Sequence, residues 1–123
     1  MGLASSLDRP ENARRGEIWY AKLDPTQGSE INKERPCVII SSDKIRYKDV
    51  RLAVPLTEEK KYEAIWHVKI NPSIKNGLDK PSVADVLQSR CVSVKRFTRK
   101  IGTVTADQLE DIVAALKIVT EAE

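Results

Sequence analysis

Apolar positions along this chain come in short runs separated by polar stretches that carry proline, glycine and asparagine. The first run, IWYAKL after Glu17, reads as a strand that Asp24-Pro25 stops. Residues 25–34 then form a polar loop, long enough in a small domain to suggest function. CVIISS (37–42) is a nearly continuous β-branched run, the pattern of a central strand buried on both faces. Residues 43–49 leave room for one helical turn, and VRLAVPLT (50–57) is a third strand whose Pro55 marks an edge or a bulge. EAIWHVKI (63–70) alternates, with Trp66, Val68 and Ile70 on one face and Ile65, His67 and Lys69 on the other. Asn71-Pro72 and Asn76-Gly77 punctuate a turn-rich connection, and SVADVLQSRCVSV (82–94) supplies one further strand or two.

The last element has a different period. Thr105 and Gln108 form a capping-box pair, after which Leu109, Ile112, Val113, Leu116 and Val119 recur on one helical stripe. Several short strands closed by one amphipathic helix predict a small, strongly bent antiparallel barrel. One helix leaves part of the sheet uncovered, and dimerisation would bury the remainder.

A chain of 123 residues, 41% hydrophobic, has material for one core but not two. Residues 1–14 lack periodicity and read as a flexible tail, leaving 15–123 as the domain. The charged fraction is 32% yet the net charge is only +3, a mildly basic balance that does not by itself imply nucleic-acid binding. Cys37 and Cys91 sit in apolar runs without CxxC spacing, as structural thiols of a reducing compartment do. Neither a signal peptide nor a run of membrane-spanning length is present, so a cytoplasmic protein without membrane contact is expected.

Candidate chemistry concentrates around the first loop. Arg35 precedes Pro36 and is biased to extended geometry at a strand entrance, where a guanidinium can offer parallel donors to a phosphate. It could equally pair with Glu30 or Glu34. Glu30 could serve as a base for a ribose 2′-hydroxyl, orient Arg35, or be a solvated loop residue. Thr57 ends the third strand, and its hydroxyl could bond a phosphate oxygen. Gln88 could read a base edge while Arg90 and Arg96 hold phosphate. Lys95, Arg96, Arg99 and Lys100, interrupted by Phe97, read as a basic loop with a phosphate footprint. His67 is the sole histidine, which excludes a two-histidine mechanism within one chain, and its alternating strand predicts an exposed sheet residue. No His/Cys cluster suggests a metal, and Asp107, Glu110 and Asp111 have a helix-dipole rationale. The glycines are too scattered for a phosphate-cradling loop.

Four motifs together resemble the MazF/PemK family of toxin endoribonucleases. Arg15-Gly16-Glu17-Ile18 opens the first strand; Pro25 precedes Gly28-Ser29-Glu30 and then Arg35-Pro36. Val54-Pro55-Leu56-Thr57 closes the third strand, and Gln88-x-Arg90 is followed by Arg96 at family-like spacing. The resemblance implies an SH3-like (CcdB/PemK-type) antiparallel β-barrel with a C-terminal helix, usually a homodimer. It implies cofactor-free, metal-independent cleavage of single-stranded RNA to a 2′,3′-cyclic phosphate and a 5′-hydroxyl, inhibited by a cognate antitoxin laid across the groove. Arg35 and Thr57 take the family's catalytic positions, with Glu30 or a water as proton acceptor. Gln27, Gly28 and Ser29 border the RNA groove, joined by Gln88, Arg90 and Arg96. Two rivals are a gyrase poison on the same barrel, as in the related CcdB proteins, and a catalytically silent RNA- or protein-binding barrel.

Overall fold

The computed structural model describes residues 8–59 and 64–122. Its seven strands are β1 (Glu17–Lys22), β2 (Glu34–Ile39), β3 (Val50–Glu58), β4 (His67–Ile70), β5 (Ser82–Asp85), β6 (Arg90–Ser93) and β7 (Phe97–Thr103). One helix, α1 (Ala106–Thr120), follows. The sheet runs β4-β5-β3-β2-β1-β7, with β6 also on β3, and every pairing is antiparallel. This is the expected mainly β class with a C-terminal helix, although the pairing path does not close on itself.

Strand alternation sends side chains to both faces, and both are buried. Ile18, Val38, Val54 and Leu56 meet Ile112 and Ala115 of α1 in one apolar cluster. Their neighbours Trp19, Ala21, Cys37, Ile39 and Ala53 form a second cluster with Val92 and Phe97. The expectation of a single core therefore fails in an instructive way. The second face is covered by Ala13 of the N-terminal segment and by Val92, Val94 and Phe97. Each fully buried large aliphatic in these clusters is worth about 1.5–3 kcal/mol relative to exposure.

The capping box is formed: Thr105 Oγ1 accepts from Gln108 N at 3.1 Å and Gln108 Oε1 from Thr105 N at 2.9 Å. Segment 82–94 makes two strands in series along one side of β3, joined by a 3-10 turn at Val86–Gln88.

Four features differ from the sequence reading. β2 begins at Glu34 and carries Pro36 within it, opposite Tyr20. The basic segment is no loop, because Phe97–Thr103 is a strand paired with β1. His67 is not exposed: its side chain is 13% accessible, Nδ1 accepts from Ala64 N at 3.0 Å, and Nε2 lies 3.7 Å from Asp85. Cys91 is exposed while Cys37 is buried. The expected start of the fourth strand at Glu63 lies outside the described residues, as does the tail at 1–7. Residues 8–14 dock on the sheet through buried Ala13 and through Arg51, which is 2% exposed. Its guanidinium donates to the carbonyls of Glu11, Ala13, Arg46, Lys48 and Val50.

Candidate active site

The site sits where the central sheet opens. β2 and β3 pair from Ile39↔Ala53 to Cys37↔Pro55 and no further. Pro55 lies at that last pair and Pro36 is the next residue of the facing strand, and neither has an N–H to donate. Beyond this point β2 stays with β1 (Ala21↔Arg35) and β3 with β5 (Thr57↔Val83). Continuing the lost register two residues outward sets Arg35 across from Thr57, at the two lips of the opening.

Both residues line the same two hollows. One, about 210 Å³, is walled by Tyr20, Pro36, Leu56, Leu78 and Lys80; the other, about 370 Å³, by Ser29, Glu30, Ile31, Asn32 and Glu58. A third of about 350 Å³ shares Ser29 and Glu30 and reaches Gln88 and Arg90. The hollows adjoin: the first two share Arg35, Thr57 and Glu58, and the last two share Ser29 and Glu30. Arg35 Nε donates to Asn32 O at 3.2 Å, and its two terminal nitrogens have no partner among the described residues. Among the described residues the Thr57 hydroxyl has only a long 3.4 Å contact to Glu58 O. A tethered guanidinium with free terminal donors, facing a loosely held hydroxyl, is suited to the non-bridging oxygens of a phosphodiester.

Other expected site residues are placed differently. Glu30 does not pair with Arg35; its carboxylate accepts from Gln27 N at 2.7 Å and so closes a turn through Gly28, whose φ is +57°. Gln88, expected to read a base edge, instead spends its amide on the loop: Nε2 donates to Ser29 O at 3.0 Å and Oε1 accepts from Ile31 N at 3.1 Å. Arg90 Nη1 donates to Leu23 O at 3.3 Å. Arg96 Nη1 donates to Lys22 O at 3.0 Å and Asp24 O at 2.5 Å. All three therefore grip the β1–β2 connection.

The basic segment is similarly committed. Lys100 pairs with buried Glu17 at 3.0 Å, and the Arg99 guanidinium lies 4.5 Å from the Tyr20 ring centre. Only Lys95 of the four cations is left without such an engagement among the described residues.

Tyr20, Leu78 and Lys80 enter the site without a signal that sequence reasoning used. Tyr20 could have been found from its position on the strand leading into the loop. Leu78–Lys80 are delivered by the turn at Asn76, which is 1% exposed. Its Oδ1 accepts from Ser73 N and Leu78 N, and its Nδ2 donates to Asn71 O. Behind the site, burial pushes the Cys37 thiol up to about 12, with Arg90 opposing, so this sulfur is no nucleophile. Among the described residues no three His, Cys, Asp or Glu side chains gather around a common point, and no helix is long and apolar enough to cross a membrane.

Residues 14–120 match the family model described as PemK-like, MazF-like toxin of type II toxin-antitoxin system. The chain is similar to the endoribonuclease MazF9 of Mycobacterium tuberculosis, with 35% identity over 111 residues, covering 85% of this chain and 93% of that protein. Its fold is similar to that of MazF from Deinococcus radiodurans, with a TM-score of 0.78 at 18% identity, covering 89% of this chain and 96% of the other. It also resembles a mycobacterial endoribonuclease solved in complex with its cognate antitoxin, with a TM-score of 0.73 at 19% identity, covering 90% and 97% of the two chains.

Proposed function

The chain belongs to the PemK-like, MazF-like family of type II toxins, and from that premise we propose that it is an endoribonuclease cutting single-stranded RNA by internal transphosphorylation. The observation that carries the reading is the terminal fork of Arg35, without a partner among the described residues, across the opened sheet from Thr57. A ribose 2′-oxygen attacks the adjacent phosphorus while the P–O5′ bond breaks, leaving a 2′,3′-cyclic phosphate and a 5′-hydroxyl. The 2′-proton leaves to a base and O5′ takes one up from water, so that one proton passes overall from O2′ to O5′. Arg35 supports the charge that grows on the non-bridging oxygens, and Thr57 donates a further hydrogen bond. Such a reaction depends on positioning and charge stabilisation more than on a strong nucleophile. DNA is not cut because it lacks the attacking hydroxyl. Glu30, with one carboxylate oxygen on Gln27, or a water is the proton acceptor. No metal or cofactor is required by this scheme.

The groove from Lys80 past Arg35 to Arg90 is the place for RNA, and an extended antitoxin segment would inhibit by occupying it. A homodimer is supported by an exposed apolar stripe: Val50 and Leu52 are 36% and 38% accessible on β3, with Leu87 at 55% on the adjoining turn. Free cysteines and an RNA substrate suit the cytoplasm.

The test is incubation of the antitoxin-free protein with a long unstructured RNA in EDTA, followed by mapping of new 5′ ends. Discrete cuts bearing 5′-hydroxyls, absent with Arg35→Ala, are expected. Intact RNA with impaired gyrase supercoiling would overturn the reading in favour of a gyrase poison, and intact RNA with normal supercoiling in favour of a silent binding barrel.

A further inference from the structure

The loop between β1 and β2, residues 23–33, is closed at its base by Leu23 N donating to Lys33 O at 3.0 Å. Its root is held by Arg90 and Arg96, whose guanidiniums reach the carbonyls of Lys22, Leu23 and Asp24. Near its tip Gln88 bonds Ser29 O and Ile31 N together. That pattern is how a neighbouring strand addresses residues i and i+2, so one side-chain amide stands in for a missing strand. A side-chain amide suits this role because it carries an N–H donor and a carbonyl acceptor on one planar group.

The platform beneath Gln88 is firm. Val86, in the same 3-10 turn, is 1% exposed in the helix-side core, and its N donates to Trp66 O at 3.1 Å. The loop beyond Gln88 leads directly to the reaction centre, since Asn32, one residue past Ile31, accepts from Arg35 Nε at 3.2 Å.

We propose that Gln88 is a positioning residue: by fixing Ile31 it holds the Asn32 carbonyl, and through it the Arg35 fork, at the scissile phosphate. The catalytic part of this inference rests on the ribonuclease reading; the clamp itself does not. Gln88 acts on the rate through Arg35 and need not touch a base.

The experiment compares wild type with Gln88→Ala and Gln88→Glu, each checked for an unchanged far-ultraviolet circular dichroism spectrum. Gln88→Glu keeps an acceptor for Ile31 N–H but sets a carboxylate oxygen against the Ser29 carbonyl. Three quantities are read: amide hydrogen exchange at Ile31 in the free protein, affinity for an RNA with a 2′-deoxy sugar at the cut site, and the single-turnover cleavage rate. Losing two neutral hydrogen bonds is expected to speed Ile31 exchange on the order of 10-fold. The cleavage rate should fall by a similar factor, with RNA affinity within about threefold of wild type, given that tethering effects on a reacting group appear in rate rather than binding. Unchanged Ile31 exchange in Gln88→Ala would overturn the clamp. Lost affinity with an unchanged single-turnover rate would show instead that Gln88 contacts RNA directly. If the wild type cuts no RNA, the ribonuclease reading fails, while the exchange arm still decides whether the clamp exists.

Discussion

Replacing Arg35 with lysine separates charge from geometry at the proposed reaction centre. The arginine has one donor committed to Asn32 O and its terminal nitrogens free among the described residues. Lysine keeps the positive charge but offers a single nitrogen, cannot present two parallel N–H groups, and gives up the tether. At least one preorganised donor to the phosphorane is therefore lost, a loss worth about 2.7–4 kcal/mol in oxyanion sites, or a factor of about 100–1,000 in rate. Arg35→Ala removes charge and donors together and should fall below the lysine variant by a further factor of about 10 or more. Neither change should unfold the protein, because among the described residues the guanidinium makes one hydrogen bond, at a partly exposed position, and losses of that kind cost about 1 kcal/mol or less. The assay is single-turnover cleavage of an oligodeoxynucleotide carrying one ribonucleotide at the mapped cut site, with thermal unfolding measured in parallel. Activity of Arg35→Lys within threefold of wild type would refute the fork argument. Activity of Arg35→Ala within tenfold would remove Arg35 from the chemistry.

Leu52→Glu places a carboxylate in the exposed stripe of β3 and should convert a dimer to monomers in sedimentation equilibrium; a dimer unchanged by it would place the interface elsewhere. At neutral pH, Cys91 should react with a thiol reagent in the native protein and Cys37 only on unfolding, following their exposed and buried positions. Cys37 also makes a signed pH prediction: its folded pKa is raised to about 12, so above the unfolded value of about 8.5 the unfolded chain binds fewer protons. Its share of stability is therefore lost as pH rises from about 8.5 towards 12, at up to about 1.4 kcal/mol per unit. The urea midpoint of Cys37→Ala should fall less steeply than wild type over that range, and parallel curves would contradict the assignment.

What was legible in the sequence was local. The β-branched run at 37–42, the Asp24-Pro25 stop and the Thr105/Gln108 box each act within a few residues, and each appears in the structure close to where it was read. What was missed depends on partners far along the chain. β7 looked like a basic loop because Lys100 is neutralised by Glu17 and Arg99 stacks on Tyr20, both on a strand some eighty residues earlier. His67 looked exposed because Asp85, which crowds it, lies on another strand. Gln88, Arg90 and Arg96 read as RNA-binding residues in the sequence, and their grip on the first loop does not show there, because their acceptors are mainly backbone carbonyls, which leave no trace in residue identity. The Arg35–Thr57 juxtaposition was available only through family resemblance, since nothing in either segment alone states that their strands adjoin.

The two prolines show why that juxtaposition yields a site rather than another rung of sheet. Had the β2–β3 ladder continued, the backbones at Arg35 and Thr57 would have satisfied each other and closed the sheet between the two hollows. Ending the ladder at Pro55 keeps both strands in place, because β1 and β5 still hold their outer sides. A lip on each side of the opening is thus as rigid as the sheet to which it belongs. Rigidity matters here because the proposed chemistry draws on prealigned donors, whose value disappears if they must reorganise during the reaction. The loop then supplies what the strands cannot: one carbonyl, from Asn32, that turns the guanidinium towards the groove. On this view the strands fix where Arg35 is and the clamped loop fixes which way it points, so the two controls should fail separately when either is cut.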